Sequence, residues 1–457
     1  MTSTEVHAHT HGALEQRLAE LARDGVRAIR LQYADLHGIC RGKDIPIVHF
    51  PHAAREGISF VAAIMTVDLR HNVVAGFEEG FPDLLARPDL DTLVRLPWQH
   101  DIAACLVDLQ DPATHQPSAV DSRGALKRIL VEFEQLGVSP IIGPELEFYL
   151  CEPDPASPNG YRPYAAQESP VYTVGGVADP KGTLSRMLDA AVELDLGAIA
   201  AAHEYGRSQF EINLRHGEAL SSADRAFRYK ALVKELAARD GLLATFMGKP
   251  FNGDEGSGFH LHISLEDRDG NNICGDPDDA EHGLHPLTRH FIAGVLEHGP
   301  AMMVFFNPTV NAYRRITAEA LVPTRSCWGH DHRMTLVRVP KERGSACRLE
   351  IRLGDGTANP YLAYTAALAA GLDGIRREVE PPAPLEGFIY ELPEEDLGAP
   401  LPASFEQALD ELRRDPVIVD AIGAKLVDTF ETIKAAELER FRTWVTDWEF
   451  SEYSLRL

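Results

Sequence analysis

The chain has 457 residues, 44% hydrophobic and 25% charged, the proportions of an ordinary soluble globular protein with room for two or three domains. A formal charge of −25, from 44 basic and 69 acidic side chains, repels nucleic acid and anionic membranes, so neither is expected as a partner. No apolar run reaches the roughly 18 residues of a membrane span, no signal-peptide profile opens the chain, and six cysteines without a CxxC pair fit a reducing, cytoplasmic compartment.

Residues 1–13, with His7, His9 and His11 among Thr, Ala and Gly, read as a disordered tail. Leu14–Leu21 has helical spacing and Val26–Tyr33 alternates as a strand does. Residues 14–112 then read as a small β-rich domain of short strands and Pro- and Gly-containing loops. Residues 113–457 read as a larger α+β domain. Asp121-Ser122 opens a helix with apolar spacing from Ala125 to Leu136, stopped near Gly137. Further helices are expected over 183–195, 222–240, 286–299, 360–377 and 417–446. The one at 360 has Asn359 as cap and Pro360 in its first turn. Strands are expected near 141–150, 209–215, 259–265 and 347–353, with Pro-rich connections at 380–384 and 399–402.

Four segments carry chemistry. In Gly143-Pro144-Glu145-Leu146-Glu147-Phe148, strand alternation puts Glu145 and Glu147 on one face. Neighbouring carboxylates repel, and a cation between them relieves this, although a solvated strand face also tolerates an acid pair. His203-Glu204 and Gln209-Phe210-Glu211 add two carboxylates. Gly256-Ser257-Gly258-Phe259-His260-Leu261-His262 places two histidines on one face behind a glycine loop; such a pair can equally be structural. Arg348-Leu349-Glu350-Ile351-Arg352 puts three charges on one face, with Arg314, Arg315, Arg333 and Arg338 upstream. Five carboxylates with an imidazole suit Mg²⁺ or Mn²⁺ and not zinc or copper. Cations beside arginines are what phosphoryl transfer requires, and no Walker P-loop is present.

These segments, with Asn307-Pro308-Thr309-Val310-Asn311-Ala312-Tyr313-Arg314-Arg315, resemble the signature segments of the glutamine synthetase family, in order and at similar separations from about residue 15 onward. The resemblance implies an α+β fold: a small β-grasp-like N-terminal domain, then a catalytic domain whose antiparallel sheet walls a funnel flanked by helices. It implies ATP and two divalent ions as cofactors, one held by Glu147, Glu204 and Glu211 and the other by Glu145, His260 and Glu350. His262, Ser264, Arg333, Arg338 and Arg348 should contact ATP or the phosphoryl group. Gly256, Arg315 and Arg352 should bind glutamate. Asp35 falls where the family has an aspartate that reaches a neighbouring subunit and deprotonates the incoming ammonium, and Tyr172 where a tyrosine lines that pocket. The catalytic set is then Asp35, Arg333 and Glu211. The implied assembly is a dodecamer of two hexameric rings, and the implied reaction runs through γ-glutamyl phosphate.

One position departs from the pattern. Family members carry a flap glutamate six residues after the arginine equivalent to Arg315; here that residue is Leu321. Leucine cannot ligate ammonium but can line a pocket for an alkyl or aryl group, which points to an organic amine as acceptor. Glu319 could substitute if the loop is shifted, and would preserve an ammonia-using enzyme. Glu255 also stands where the family usually has an asparagine. An inactive relative or a metal-dependent hydrolase are weaker alternatives, because all six ligands and the phosphate arginines are retained. Tyr390 reads as an exposed structural tyrosine at a position that some relatives modify.

Overall fold

The computed structural model describes residues 3–165, 169–317 and 321–457, with the side chains of residues 3–11, 13, 390 and 396 outside the description. Glu319 and the side chain of Tyr390 therefore lie outside the described residues.

Strands β1 (Ala28–Ala34), β2 (Cys40–Pro46), β3 (Ile58–Val61), β4 (Asp83–Pro88), β5 (Val94–Arg95) and β6 (Ile102–Gln110) form the first sheet. Its order is β2-β1-β6-β4-β3, with β5 beside β6. Only β1 and β6 run parallel, and β6, flanked on both sides, is buried along most of its length.

Strands β7 (Ser139–Pro153), β8 (Tyr161–Pro163), β9 (Ala198–His203), β10 (Gln209–Leu214), β11 (Gly217–Glu218), β12 (Leu243–Thr245) and β13 (Phe259–Glu266) begin the second sheet. A short β14 (Arg325–Ser326) stands apart, and β15 (Trp328–His330), β16 (Val337–Val339) and β17 (Leu349–Gly354) complete that sheet in the order β15-β16-β17-β13-β7-β10-β9. The last strand, β18 (Ala399–Pro400), pairs with β14, so part of the segment expected as a plain connection is strand. The core of the large sheet is antiparallel, and only β15 and β16 run parallel.

β7 is the spine. Its alternate residues Leu146 and Phe148 are fully buried, and Phe148 meets the rings of Phe210, Tyr229 and Phe246 at centroid separations of 6.1, 6.2 and 5.7 Å. Each such ring stabilises the fold by roughly 1.5–3 kcal/mol on burial. Pinning one face of β7 into apolar core forces Glu145 and Glu147 onto the other.

The helices are α1 (Ser3–Arg23), α2 (Phe50–Glu56), α3 (Ser122–Leu136), α4 (Thr183–Glu193), α5 (Ala219–Arg239), α6 (Pro286–Phe306), α7 (Pro360–Arg377), α8 (Phe405–Arg414), α9 (Pro416–Ile422), α10 (Ala424–Arg442) and α11 (Asp447–Tyr453). Asp121 caps α3 by accepting from the Arg123 amide, and Gly137 ends it at φ +73°. Asn359 caps α7 by accepting from the Tyr361 amide. Helices α3 and α5 lie against β7, and α6 crosses α7 closely: a Cβ on Gly294 would meet the Ala370 carbonyl oxygen at 2.0 Å.

Four expectations change. Helical backbone begins at Ser3, within the stretch read as a tail, and continues into the helix expected over Leu14–Leu21. The helix expected over 417–446 is two, because Gly423 adopts φ +103°. Helix α6 runs through Pro300 to Phe306, its last turns buried at Met302–Phe306. Helix α8 was not anticipated. One apolar core runs unbroken from Leu18 to Leu438, so the first sheet and the larger one share it. Among the described residues no helix is long and apolar enough to cross a membrane.

Candidate active site

The order β17-β13-β7-β10 brings together residues that the sequence leaves far apart. In register, Glu350 on β17 faces His262 on β13, His260 faces Glu145 on β7, and Glu147 faces Glu211 on β10. Because each strand repeats every two residues, these side chains share one face of the sheet. Glu204 joins at the end of β9, its amide donating to the Gln209 carbonyl at 2.9 Å.

Ligand atoms of Glu145, His262 and Glu350 lie within 4.8 Å of one another. His262 Nε2 is 3.0 Å from Glu145, and His260 Nδ1 is 3.4 Å from Glu145 and 3.6 Å from Glu350. Glu145 and Glu350 of the expected set are thus brought together; the histidine of the tight group is His262, and the expected His260 lies beside both carboxylates. On the other side Glu147 accepts from Gln209 Nε2 at 2.8 Å and from the Gly258 amide at 2.7 Å, while Glu211 accepts from Asn213.

The electrostatics divide the cluster in two. Burial, with the charge of Glu204 adding to it, pushes the Glu147 carboxyl up to about 7 despite the Gly258 amide. Burial and then the charges of Glu145, Glu147 and Glu204 raise Glu211 well above the carboxylate range, and burial with Glu145 raises Glu204. Burial works against charge on Glu145 as well, but hydrogen bonds from His260 and His262 hold it far below its ordinary value. Glu350, 1% exposed, is likewise held down to about 2 against its burial, chiefly by Arg352. Buried carboxylates that repel one another, with oxygen donors and an imidazole converging, fit hard divalent cations such as Mg²⁺ or Mn²⁺.

The arginines ring this cluster. Arg338 pairs with Glu350 at 2.5 Å and Asp331 at 2.6 Å, Arg352 with Glu350, and Arg348 Nε donates to His262 Nδ1 at 3.3 Å. Ser264 follows His262 on the same face of β13. Arg333 is exposed, and its charge bears on both Glu204 and Tyr172. Arg315 is buried, its Nη2 donating to the carbonyls of Leu353 at 2.9 Å and Gly354 at 2.8 Å, with its Nε buried and unpartnered. Gly256 lies against it: a Cβ there would sit 2.4 Å from Arg315 Cγ.

Tyr172 is 70% exposed at φ +64°, its amide bonded to the His203 carbonyl at 2.9 Å beside Glu204. Leu321 is 53% exposed. Asp35 lies in the turn after β1. It is 1% exposed and committed within its own chain, paired with Arg41 at 2.8 Å and accepting from the amides of His37 at 3.0 Å and Ile39 at 2.9 Å. The turn after β1 needs those two amides satisfied, which holds the carboxylate inward. Among the described residues no hydrogen bond or ion pair joins its carboxylate to the cluster.

Gln209 was not singled out from sequence, yet it joins Glu147 to the Gly256 carbonyl, the latter at 3.0 Å. Its place two residues before Glu211 carried the signal. Asp331, which anchors Arg338, had no comparable mark.

The family model described as glutamine synthetase, catalytic domain, matches residues 119–453. The glutamine synthetase of Methanocaldococcus jannaschii is 35% identical over 454 residues, covering 96% of this chain and 98% of that protein. That of Thermotoga maritima is 36% identical over 449 residues, covering 95% and 97%. Among solved structures, a GmaS/ADP complex superposes with a TM-score of 0.84 at 30% identity, covering 95% of this chain and 98% of that one. A novel glutamine synthase homolog has the same fold, with a TM-score of 0.79 at 24% identity.

Proposed function

This chain belongs to the glutamine synthetase family and is an ATP-dependent ligase, and on that premise we propose that it joins the γ-carboxylate of L-glutamate to an organic amine. The observation that carries the proposal is Leu321, an apolar and half-exposed side chain where the family has its flap glutamate. The likeness to GmaS across nearly the whole chain supports it. The competing reading, with ammonia as acceptor, is supported by relatives at 35% and 36% identity that are named glutamine synthetases.

In the proposed reaction a γ-carboxylate oxygen of glutamate attacks the γ-phosphorus of ATP, and ADP leaves. The amine nitrogen then attacks the acyl carbon of γ-glutamyl phosphate, phosphate leaves, and the nitrogen gives up a proton. Glu145, His260 and Glu350, and Glu147, Glu204 and Glu211, would hold divalent ions, which when bound would supply neutralisation of phosphate charge. Arg333 and Arg338 hold the phosphoryl oxygens, with His262, Ser264 and Arg348 toward the nucleotide. Arg315, Arg352 and the Gly256 backbone position glutamate. The resemblance assigns the proton to Asp35 of a neighbouring subunit in a ring assembly. In one chain Arg41 holds that carboxylate, so Asp35→Asn should depress turnover, and not folding, only if a second copy uses it.

The test is phosphate release from ATP with glutamate and Mg²⁺, across ammonium, ethanolamine, isopropylamine, putrescine, spermine and aniline, with mass detection of products. Turnover with one organic amine and little with ammonium supports the proposal. Ammonium supporting turnover far better than every amine refutes it.

A further inference from the structure

A second concavity is lined by residues outside the carboxylate cluster. A cavity of about 500 Å³ opens between the β1–β2 hairpin and helix α5. Five basic side chains line it (Arg30, Arg41, Lys43, Lys230 and Lys234) against two acidic ones, Asp44 and Glu235. In a chain of net charge −25 this is a local reversal of sign.

The arginines there are already neutralised. Arg30 pairs with Asp44 at 2.8 Å and with Glu235 at 3.4 Å, and Arg41 pairs with Asp35. The two α5 lysines, one turn apart, are different. Neither makes an ion pair with a carboxylate among the described residues; instead both ammonium groups lie over the Phe246 ring, 5.6 and 5.9 Å from its centroid. Lys230 is only 6% exposed, and its Nζ donates to the Ala358 carbonyl at 2.7 Å. Burial, with Lys234 nearby, pushes Lys230 down to about 7 against the smaller opposing charges of Asp355 and Asp35. A desolvated ammonium beside a second one is costly, and an anion between them offsets that cost.

We propose that this cavity binds a small anion bearing carboxylate or phosphate groups, its charge held between Lys230 and Lys234. The volume suits a small molecule and is too small for a macromolecular segment of any length. An occupant there bears on the catalytic strands through direct bonds. Ala358, which receives Lys230, donates its own amide to the Asp355 carbonyl at 3.2 Å. Its neighbour Asn359 caps α7 and donates to the Asp35 carbonyl at 3.1 Å. Asp355 directly follows Gly354, whose carbonyl holds Arg315. Lys230 is thus joined by a short chain of bonds to the Asp35 turn and to the end of β17. This inference does not depend on which amine is the acceptor.

The experiment is calorimetric titration and thermal unfolding of the full-length protein with inorganic phosphate, succinate and citrate, against chloride at matched ionic strength. Lys234→Ala is the main variant, because Lys234 is exposed on its helix and alanine is tolerated there. Arg333→Ala reports on anions captured at the carboxylate cluster instead. The expected result is binding of phosphate or of a carboxylate that Arg333→Ala retains and Lys234→Ala weakens about tenfold or more. Phosphate and succinate arms tell the two anion chemistries apart. Equal affinity in Lys234→Ala and the parent chain, loss of binding only in Arg333→Ala, or no binding beyond chloride overturns the inference.

Discussion

Gly256→Ala tests whether Arg315 positions glutamate. The new Cβ would stand 2.4 Å from Arg315 Cγ, 2.9 Å from its Cδ and 2.9 Å from the Gly248 carbonyl oxygen. None of these atoms yields easily. The Gly248 oxygen is backbone, and Arg315 is anchored beyond the clash by the Leu353 and Gly354 carbonyls and by Asn307 at 3.3 Å. Overpacking of this kind costs about 1–3 kcal/mol, and the side chain must swing off its anchors. If Arg315 makes a charge-assisted hydrogen bond to glutamate, its displacement removes roughly 1.5–3 kcal/mol of binding. At 1.4 kcal/mol per tenfold, the KM for glutamate should rise about 10- to 150-fold. The KM for ATP should change by less than about threefold, since among the described residues none of the arginines assigned to phosphate, Arg333, Arg338 and Arg348, shares a hydrogen bond with Arg315 or Gly256. The assay is steady-state phosphate release with each substrate varied in turn. A variant that remains folded at the assay temperature and keeps an unchanged glutamate KM refutes the assignment of Arg315.

Leu321→Glu should raise turnover with ammonium relative to the preferred amine by at least about tenfold, measured as the ratio of kcat/KM values; an unchanged ratio removes Leu321 from acceptor selection. The double variant Glu147→Gln, Glu211→Gln should lose the thermal stabilisation that Mg²⁺ or Mn²⁺ gives the parent chain, and a chelator should lower the melting temperature of the parent alone. His298 is buried between Asp415 at 2.7 Å and Asp373 at 3.0 Å; burial opposes its charge, but these bonds raise its pKa above the ordinary value. A raised folded-state pKa adds stability that is complete below the unfolded value of about 6.5 and lost as pH rises through the folded value. The gap in melting temperature between the parent and His298→Gln should therefore narrow from pH 5.5 to pH 9, and a gap constant in pH would sink the pairing.

Much of the cluster was legible because strand alternation is a strong local rule. Glu145 with Glu147, His260 with His262, and Gln209 with Glu211 each sit two apart, and each pair emerges on one face. Which strands stand side by side was not legible. The order β17-β13-β7-β10 reverses and skips along the chain, so the facing of Glu350 and His262 across 88 positions of sequence is a product of the packed core. Helix ends were readable where a cap marks them, at Asp121 and Asn359. They were misread where one residue acts alone: Gly423 breaks a continuous apolar pattern, while Pro300 fails to break one. An interior proline costs about 3 kcal/mol, and the buried side chains from Met302 to Phe306 are sufficient to offset that.

Asp35 shows the limit of reading a role from a motif. The segment Ala34-Asp35-Leu36-His37-Gly38 is consistent with an aspartate that serves another subunit, yet the same carboxylate closes its own turn through two amides and pairs with Arg41. Both uses are compatible only if assembly supplies Arg41 with another partner, or if the turn opens. The acceptor side of the site is harder to read for a related reason. Tyr172 and Leu321 lie on loops, where no periodicity ties one side chain to the next and exposure is high. The carboxylate cluster follows from a sheet, and a sheet repeats. The proposed choice of an amine rests on single loop residues, so on that proposal the identity of Leu321 bears more on specificity than the whole carboxylate cluster, which both an ammonia-using and an amine-using ligase require.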